Sequence, residues 1–128
     1  MVIDSSVLIA ILSNEVDAPD LIKAMTADSV RLLSVASLLE TAIVIESRHG
    51  LAGGEKLDEF IRIAQIVVQP VTIEQLSIAR AAFRSYGKGR HPAALNFGDC
   101  FAYALAKFRS EPLLFKGNDF SQTDVQLV

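Results

Sequence analysis

The chain has 128 residues, 51% of them hydrophobic, and a formal net charge of -3. That length suits a single domain over residues 1–128, with enough apolar material to fill a core and leave some at the surface for a second copy or a partner. The charge argues against a nucleic-acid coat that works through phosphate contacts alone, and no apolar run nears the ~20 residues of a membrane helix, so no membrane association is expected.

In chain order, MVID (1–4) reads as a short buried strand that ends on an acid. SSVLIAILS (5–13) follows as a helix, with a turn at Asn14. Residues 17–28 predict a second helix, capped by Asp17 with Pro19 in its first turn. VRLLS (30–34) is a strand. ASLLETAIVIESRH (36–49) is a helix stopped by Gly50, and GGEKLDEFIRIAQ (53–65) is another, with Asp58 and Arg62 as an i,i+4 pair. IVVQPV (66–71) is a strand, and Thr72 caps a long helix with Glu74 in its first turn. GKGRHPAAL (87–95) is a loop, NFGDCFAYALAKFRS (96–110) a helix, PLLFK (112–116) a strand and VQLV (125–128) a candidate last strand.

Strands alternate with helices, and the strands are continuous apolar runs. This pattern predicts an α/β fold with a parallel sheet covered on both faces. In such sheets the working site lies beyond the carboxyl ends of the strands. Cys100 is the single cysteine, so no intrachain disulfide can form, and a reducing cytoplasm is the expected compartment. The first residues lack the basic start and small-residue cleavage site of a signal peptide.

Four acids stand out. Asp4 ends the first strand, where it or Ser5 is also suited to cap the next helix. Glu40 has Ala36, Ser37, Ile43 and Val44 at helical spacing, so it is expected to face protein, and an unpaired buried carboxylate costs several kcal/mol. Asp99 falls at the third position of a helix capped by Asn96, a capping-box pattern. Asp119 follows the fourth strand in a Gly-Asn-Asp turn. A parallel sheet brings all four to one edge without matching basic residues. Like charges in one pocket call for cations, and an all-oxygen donor set favours Mg²⁺ or Mn²⁺ over zinc.

MVIDSSVLIAIL, SVASLLETAIV, NFGDCFAYALAK and LLFKGNDF, in that order across nearly the whole chain, resemble the motifs of the PIN-domain family, and within it the VapC-type ribonuclease toxins of toxin–antitoxin systems. The resemblance implies a three-layer sandwich with a central, mainly parallel sheet of four or five strands flanked by helices. It matches Asp4, Glu40 and Asp99 to the three core acids, Asp119 to a fourth and less uniform one, and Ser6 to a small polar residue supporting the first. It implies Mg²⁺-dependent RNA cleavage, a homodimer, a VapB-like cognate antitoxin, and a heterotetramer or larger assembly with it.

On this reading metal-activated water attacks the phosphodiester, and Ser5 and Ser6 are not nucleophiles, having no histidine near them in sequence. His49 and His91 are expected at the surface. Arg80, Arg84 and Lys88 recur at i+4 spacing and Arg90 follows; together with Lys116 they are candidate RNA contacts. Two other readings stay open: a non-catalytic PIN-like module that binds RNA or protein, and a receiver-like phosphoacceptor domain, which lacks the expected acidic pair after the first strand.

Overall fold

The computed structural model describes all residues from Met1 to Val128. Its elements are β1 (Val2–Ile3), α1 (Ser5–Leu12), α2 (Ala18–Thr26), β2 (Leu32–Ser34), α3 (Val35–Ile63), β3 (Val67–Gln69), α4 (Ile73–Tyr86), α5 (Phe97–Arg109) and β4 (Leu113–Leu114). The four strands form one wholly parallel sheet in the order β3-β2-β1-β4.

Alternation of side chains along each strand divides the core in two. Val2, Leu32 and Leu113 point to one face and pack with Ala82 of α4 and Ala102, Leu105 and Ala106 of α5. Ile3, Leu33 and Leu114 point to the other and pack with Val7 and Leu8 of α1, Met25 of α2 and Leu57 of α3. β1, β2 and β4 are buried on both faces and have no polar side to show, which is why they read as unbroken apolar runs; β3, at the edge, leaves Val67 exposed. The three-layer architecture expected from the sequence is therefore present, with four strands.

The strands are shorter than their apolar runs, and VQLV adds no fifth. Leu127 makes a single parallel bridge to Leu113, and the tail hooks onto the edge of β4 through Leu113 N–H to Gln126 O at 2.8 Å. The two helices expected on either side of Gly50 are arms of one kinked element, α3. Gly50 alone departs from helical geometry, at φ 69° and ψ -167°, a region glycine enters without a Cβ penalty.

Two local pairings differ from expectation. Arg62 pairs with Glu59 at 2.7 Å rather than with Asp58, one turn back on the same exposed face. Asp17 precedes α2 but makes no capping hydrogen bond with its side chain, because that carboxylate is engaged by Lys116. As expected, α4 ends before residue 87: Lys88 lies in the 87–95 loop, which its N–H closes onto Leu95 O at 2.9 Å, and does not extend the Arg80–Arg84 spacing along the helix.

Candidate active site

The sheet delivers three of the acids directly. Asp4 leaves β1 in extended backbone and is the N-cap of α1, its Oδ2 accepting from Ser6 N–H at 3.0 Å. It is also 3% exposed. The cap expected from sequence is present, and it is made by a carboxylate that is itself buried. Asp119 lies beyond β4 and is exposed. Asp99 starts α5, which runs into β4, and closes a full capping box: Asp99 N–H donates to Asn96 Oδ1, and Asn96 N–H to Asp99 Oδ2, both at 2.9 Å.

Glu40, on the first arm of α3, is half-buried rather than buried. Ser37 beside it is buried, but Ile43 is 57% exposed, so the apolar face it shares borders an open groove. Its partner is a hydroxyl that the sequence did not single out: Ser5 Oγ donates to Glu40 Oε1 at 2.6 Å. A serine directly after a strand-ending acid was the available signal. Ser6 supports the neighbouring strand as well as Asp4, since its Oγ accepts from Lys116 N–H at 3.0 Å and so ties the end of β4 to the start of α1.

The acids act on one another. Burial pushes the Asp99 carboxyl up to about 7, with Asp4, Asp119 and Glu40 adding to the rise and the Asn96 N–H opposing it. Asp4 is also raised, by burial first and by Glu40 to a lesser degree, against the hydrogen bonds from Ser6. Charges influence one another in this way only at close range, so the four acids share one field.

No basic side chain neutralises them. Lys116 sits at this edge, but its ammonium is held in ion pairs by Glu15 and Asp17. Those partners lie far back in the chain, before α2, and nothing local announces them. A receiver-like site would place this lysine against the acids, and it does not stand there.

Asp4, Glu40 and Asp99 each bind the protein through one carboxylate oxygen, and oxygens of this kind suit a hard divalent cation. As placed, no three acidic side chains form a group that would hold an ion, so the fit rests on donor type and uncompensated charge rather than on ligation distances. Ser5 and Ser6 have no imidazole among their hydrogen-bond partners; His49 is exposed on α3, and His91 Nδ1 accepts from Ala93 N–H within its own loop.

Arg80 and Arg84 are exposed on α4 and line a groove with Phe83, Phe97 and Phe101. Phe97 and Phe101 also line the adjoining groove that holds Glu40 and Gly98, so the two arginines stand across an aromatic ridge from the acids. Arg90 lies over the Phe83 ring at 5.8 Å. Lys88 is exposed off the helix, so the expected basic stripe is reduced to two helical arginines. No helix is long and apolar enough to cross a membrane.

Comparison with known proteins shows the family and the fold. The PIN-domain profile matches residues 1–126. The chain is 56% identical to a VapC ribonuclease of Mycolicibacterium smegmatis, covering 100% of this chain and 99% of that one. It is 54% identical to a VapC ribonuclease of Mycobacterium bovis, covering 100% and 98%. Among solved structures, Mycobacterium tuberculosis VapC20, a toxin that cleaves the sarcin–ricin loop, superposes with a TM-score of 0.80 at 17% identity over 99% of this chain and 97% of that one. A toxin–antitoxin complex from Klebsiella pneumoniae gives 0.74 at 14% identity, over 99% and 95%. The chain belongs to the PIN-domain family, among the VapC ribonuclease toxins of toxin–antitoxin systems.

Proposed function

We propose that this protein is a Mg²⁺-dependent endoribonuclease, the toxin of a type II toxin–antitoxin pair, with Asp4, Glu40, Asp99 and Asp119 as its acidic centre. The observation that carries the reading is the shared field of four acids at the carboxyl edge of a parallel sheet, with Lys116 drawn off by other partners. Mn²⁺ would serve in place of Mg²⁺, since both take oxygen ligands.

A divalent cation at these acids supplies neutralisation of phosphate charge and a water of lowered pKa. The chain's own part is to hold the acids still. Ser6 N–H fixes one oxygen of Asp4, Ser5 Oγ one of Glu40, and Asn96 N–H one of Asp99; the second oxygens of Asp4 and Asp99 would then be free to hold a cation. Asp119 is exposed beyond β4, where it would meet ion or substrate at the rim of the site. No protein nucleophile is required, and the hydroxyls nearest the site are occupied as supports. Arg80 and Arg84 give the RNA backbone positive charge across the aromatic ridge, and Lys88 and Arg90 extend it beyond the helix.

The same acids would receive an arginine or lysine from a VapB-like antitoxin, which neutralises them without a cation. Leu39, Ile43 and Phe97, all well exposed beside Glu40, offer a homodimer its apolar contact. Toxin and antitoxin would act in the cytoplasm, where the RNA is.

The test is cleavage of a defined single-stranded RNA by purified protein. Cleavage with Mg²⁺, none in EDTA and none by Asp4→Asn supports the proposal. Equal cleavage by Asp4→Asn, or cleavage that survives EDTA, refutes it.

A further inference from the structure

α5 opens on Phe97, Gly98 and Asp99. A glycine in a first helical turn is an unfavourable choice, because alanine is the better helix former. Two of the usual reasons for glycine do not apply. Gly98 is not among the positions with positive φ, so the backbone does not demand it, and it ends no helix. What it has is a neighbour: a Cβ built at residue 98 would stand 2.2 Å from Glu40 Oε2, 2.8 Å from Cδ and 2.9 Å from Oε1. All three atoms belong to one carboxylate. Gly53 is closed in by the body of His49 and Ile45, and Gly54 meets the carboxylate of Glu46, an exposed side chain of its own helix; Gly98 alone meets one of the four acids.

We infer that Gly98 is a positioning residue for the acidic centre: its missing side chain is the space in which the Glu40 carboxylate lies against the start of α5, beside Asp99. Ser5 holds that carboxylate from the α1 side at 2.6 Å, so it is gripped between a hydroxyl donor and a helix that has no side chain at the point of contact. The atoms a methyl group would displace are the far end of a flexible side chain. Adding the methyl therefore leaves the fold able to form and turns Glu40 out of the cluster. The inference rests on the acidic centre proposed above for its consequence in catalysis, but the placement of Glu40 can be read without any metal.

The experiment compares wild type, Gly98→Ala, Glu40→Asp and the Gly98→Ala/Glu40→Asp double variant. Metal-free Gly98→Ala is expected to melt at or above the wild-type temperature, and its crystal structure to show Glu40 released from Ser5. Its Mn²⁺ affinity, by calorimetry, and its RNA cleavage are each expected to fall at least tenfold. Glu40→Asp is shorter by one methylene and fits beneath the new methyl, so the double variant should lose less than the product of the two single losses. Rescue of this kind is not expected of a glycine that serves packing alone. The inference is overturned if Gly98→Ala keeps Glu40 on Ser5, or binds Mn²⁺ and cleaves as wild type does. Should Gly98→Ala fail to fold, Gly98→Ala/Glu40→Ala must restore folding, and its failure to do so overturns the inference as well. A wild type that neither binds Mn²⁺ nor cleaves would instead strike the proposed activity, and leave the Glu40 placement to be judged by the metal-free structures.

Discussion

Asp99→Asn should change how stability depends on pH, with a sign that can be fixed in advance. The Asp99 carboxyl is raised from 3.8 to about 7, by burial first and then by Asp4, Asp119 and Glu40. A raised acid favours the protonated folded state. Its contribution is full below the unfolded value near 4, is lost as pH climbs towards 7, and is absent above. Between pH 5 and pH 7 the loss spans two pH units at about 1.4 kcal/mol each, so at most about 2.7 kcal/mol. Screening at the solvent edge of the site brings this nearer half that value. Asparagine keeps the shape and one acceptor oxygen, so the cap survives while the charge goes. In EDTA, urea unfolding at pH 5 and pH 8 should show Asp99→Asn gaining about 1–3 kcal/mol on wild type between the two. A difference that is the same at both pH values, or that shrinks as pH rises, refutes the reasoning. Mg²⁺ should stabilise wild type more at pH 8 than at pH 5, because proton and cation compete for the same oxygens.

Ser5→Ala removes the hydroxyl that holds Glu40; a hydrogen bond to a charged group is worth about 1.5–3 kcal/mol, so the RNA cleavage rate should fall by roughly ten- to a hundredfold, with KM nearly unchanged in steady-state assays. Phe120 is 1% exposed and packs edge-on to Phe115 at 5.1 Å, fixing the turn that carries Asp119, so Phe120→Ala should cost about 3–5 kcal/mol in denaturant unfolding and slow cleavage too. Arg80→Ala with Arg84→Ala should raise KM several-fold at constant kcat, and should flatten the salt dependence of RNA binding by about 0.7 in slope for each phosphate that is no longer neutralised.

The parts of the fold legible in sequence were those governed by neighbouring residues. Asn96 and Asp99 announce their capping box at a fixed spacing. Gly50 announces the break in α3. The two-faced burial of β1, β2 and β4 announces a parallel sheet through uninterrupted Val, Ile and Leu. What stayed hidden depended on distant pairing. The carboxylates that hold Lys116 belong to a turn near the other end of the chain, so the lysine looked available to phosphate. Lys88 shares the i+4 spacing of Arg80 and Arg84 but sits in the loop past the end of α4, where spacing says nothing about a common face. Glu40 is the instructive case. Its apolar neighbours implied a buried carboxylate, yet Ile43 and Leu39 face an open groove and leave Glu40 half-buried, and its partner is Ser5, a residue whose own neighbourhood suggested only a cap.

A cap leaves these acids able to serve as ligands. A helix start offers N–H groups and a favourable dipole to a carboxylate, and each such contact occupies one oxygen. Asp4 and Asp99 are held this way, and Glu40 by a hydroxyl, so anchors made by local structure let the fold carry several acids at one edge without a basic side chain among them. The arrangement is not free of strain: Asp99 is pushed up to about 7 by burial and its companions. By linkage, whatever stability that repulsion removes from the free protein is returned to the first positive charge that enters. A divalent ion with RNA and an antitoxin's arginine or lysine would draw on the same reserve and exclude one another. Lys116 could have spent it from within the chain, and its two ion pairs with Glu15 and Asp17 keep it from doing so.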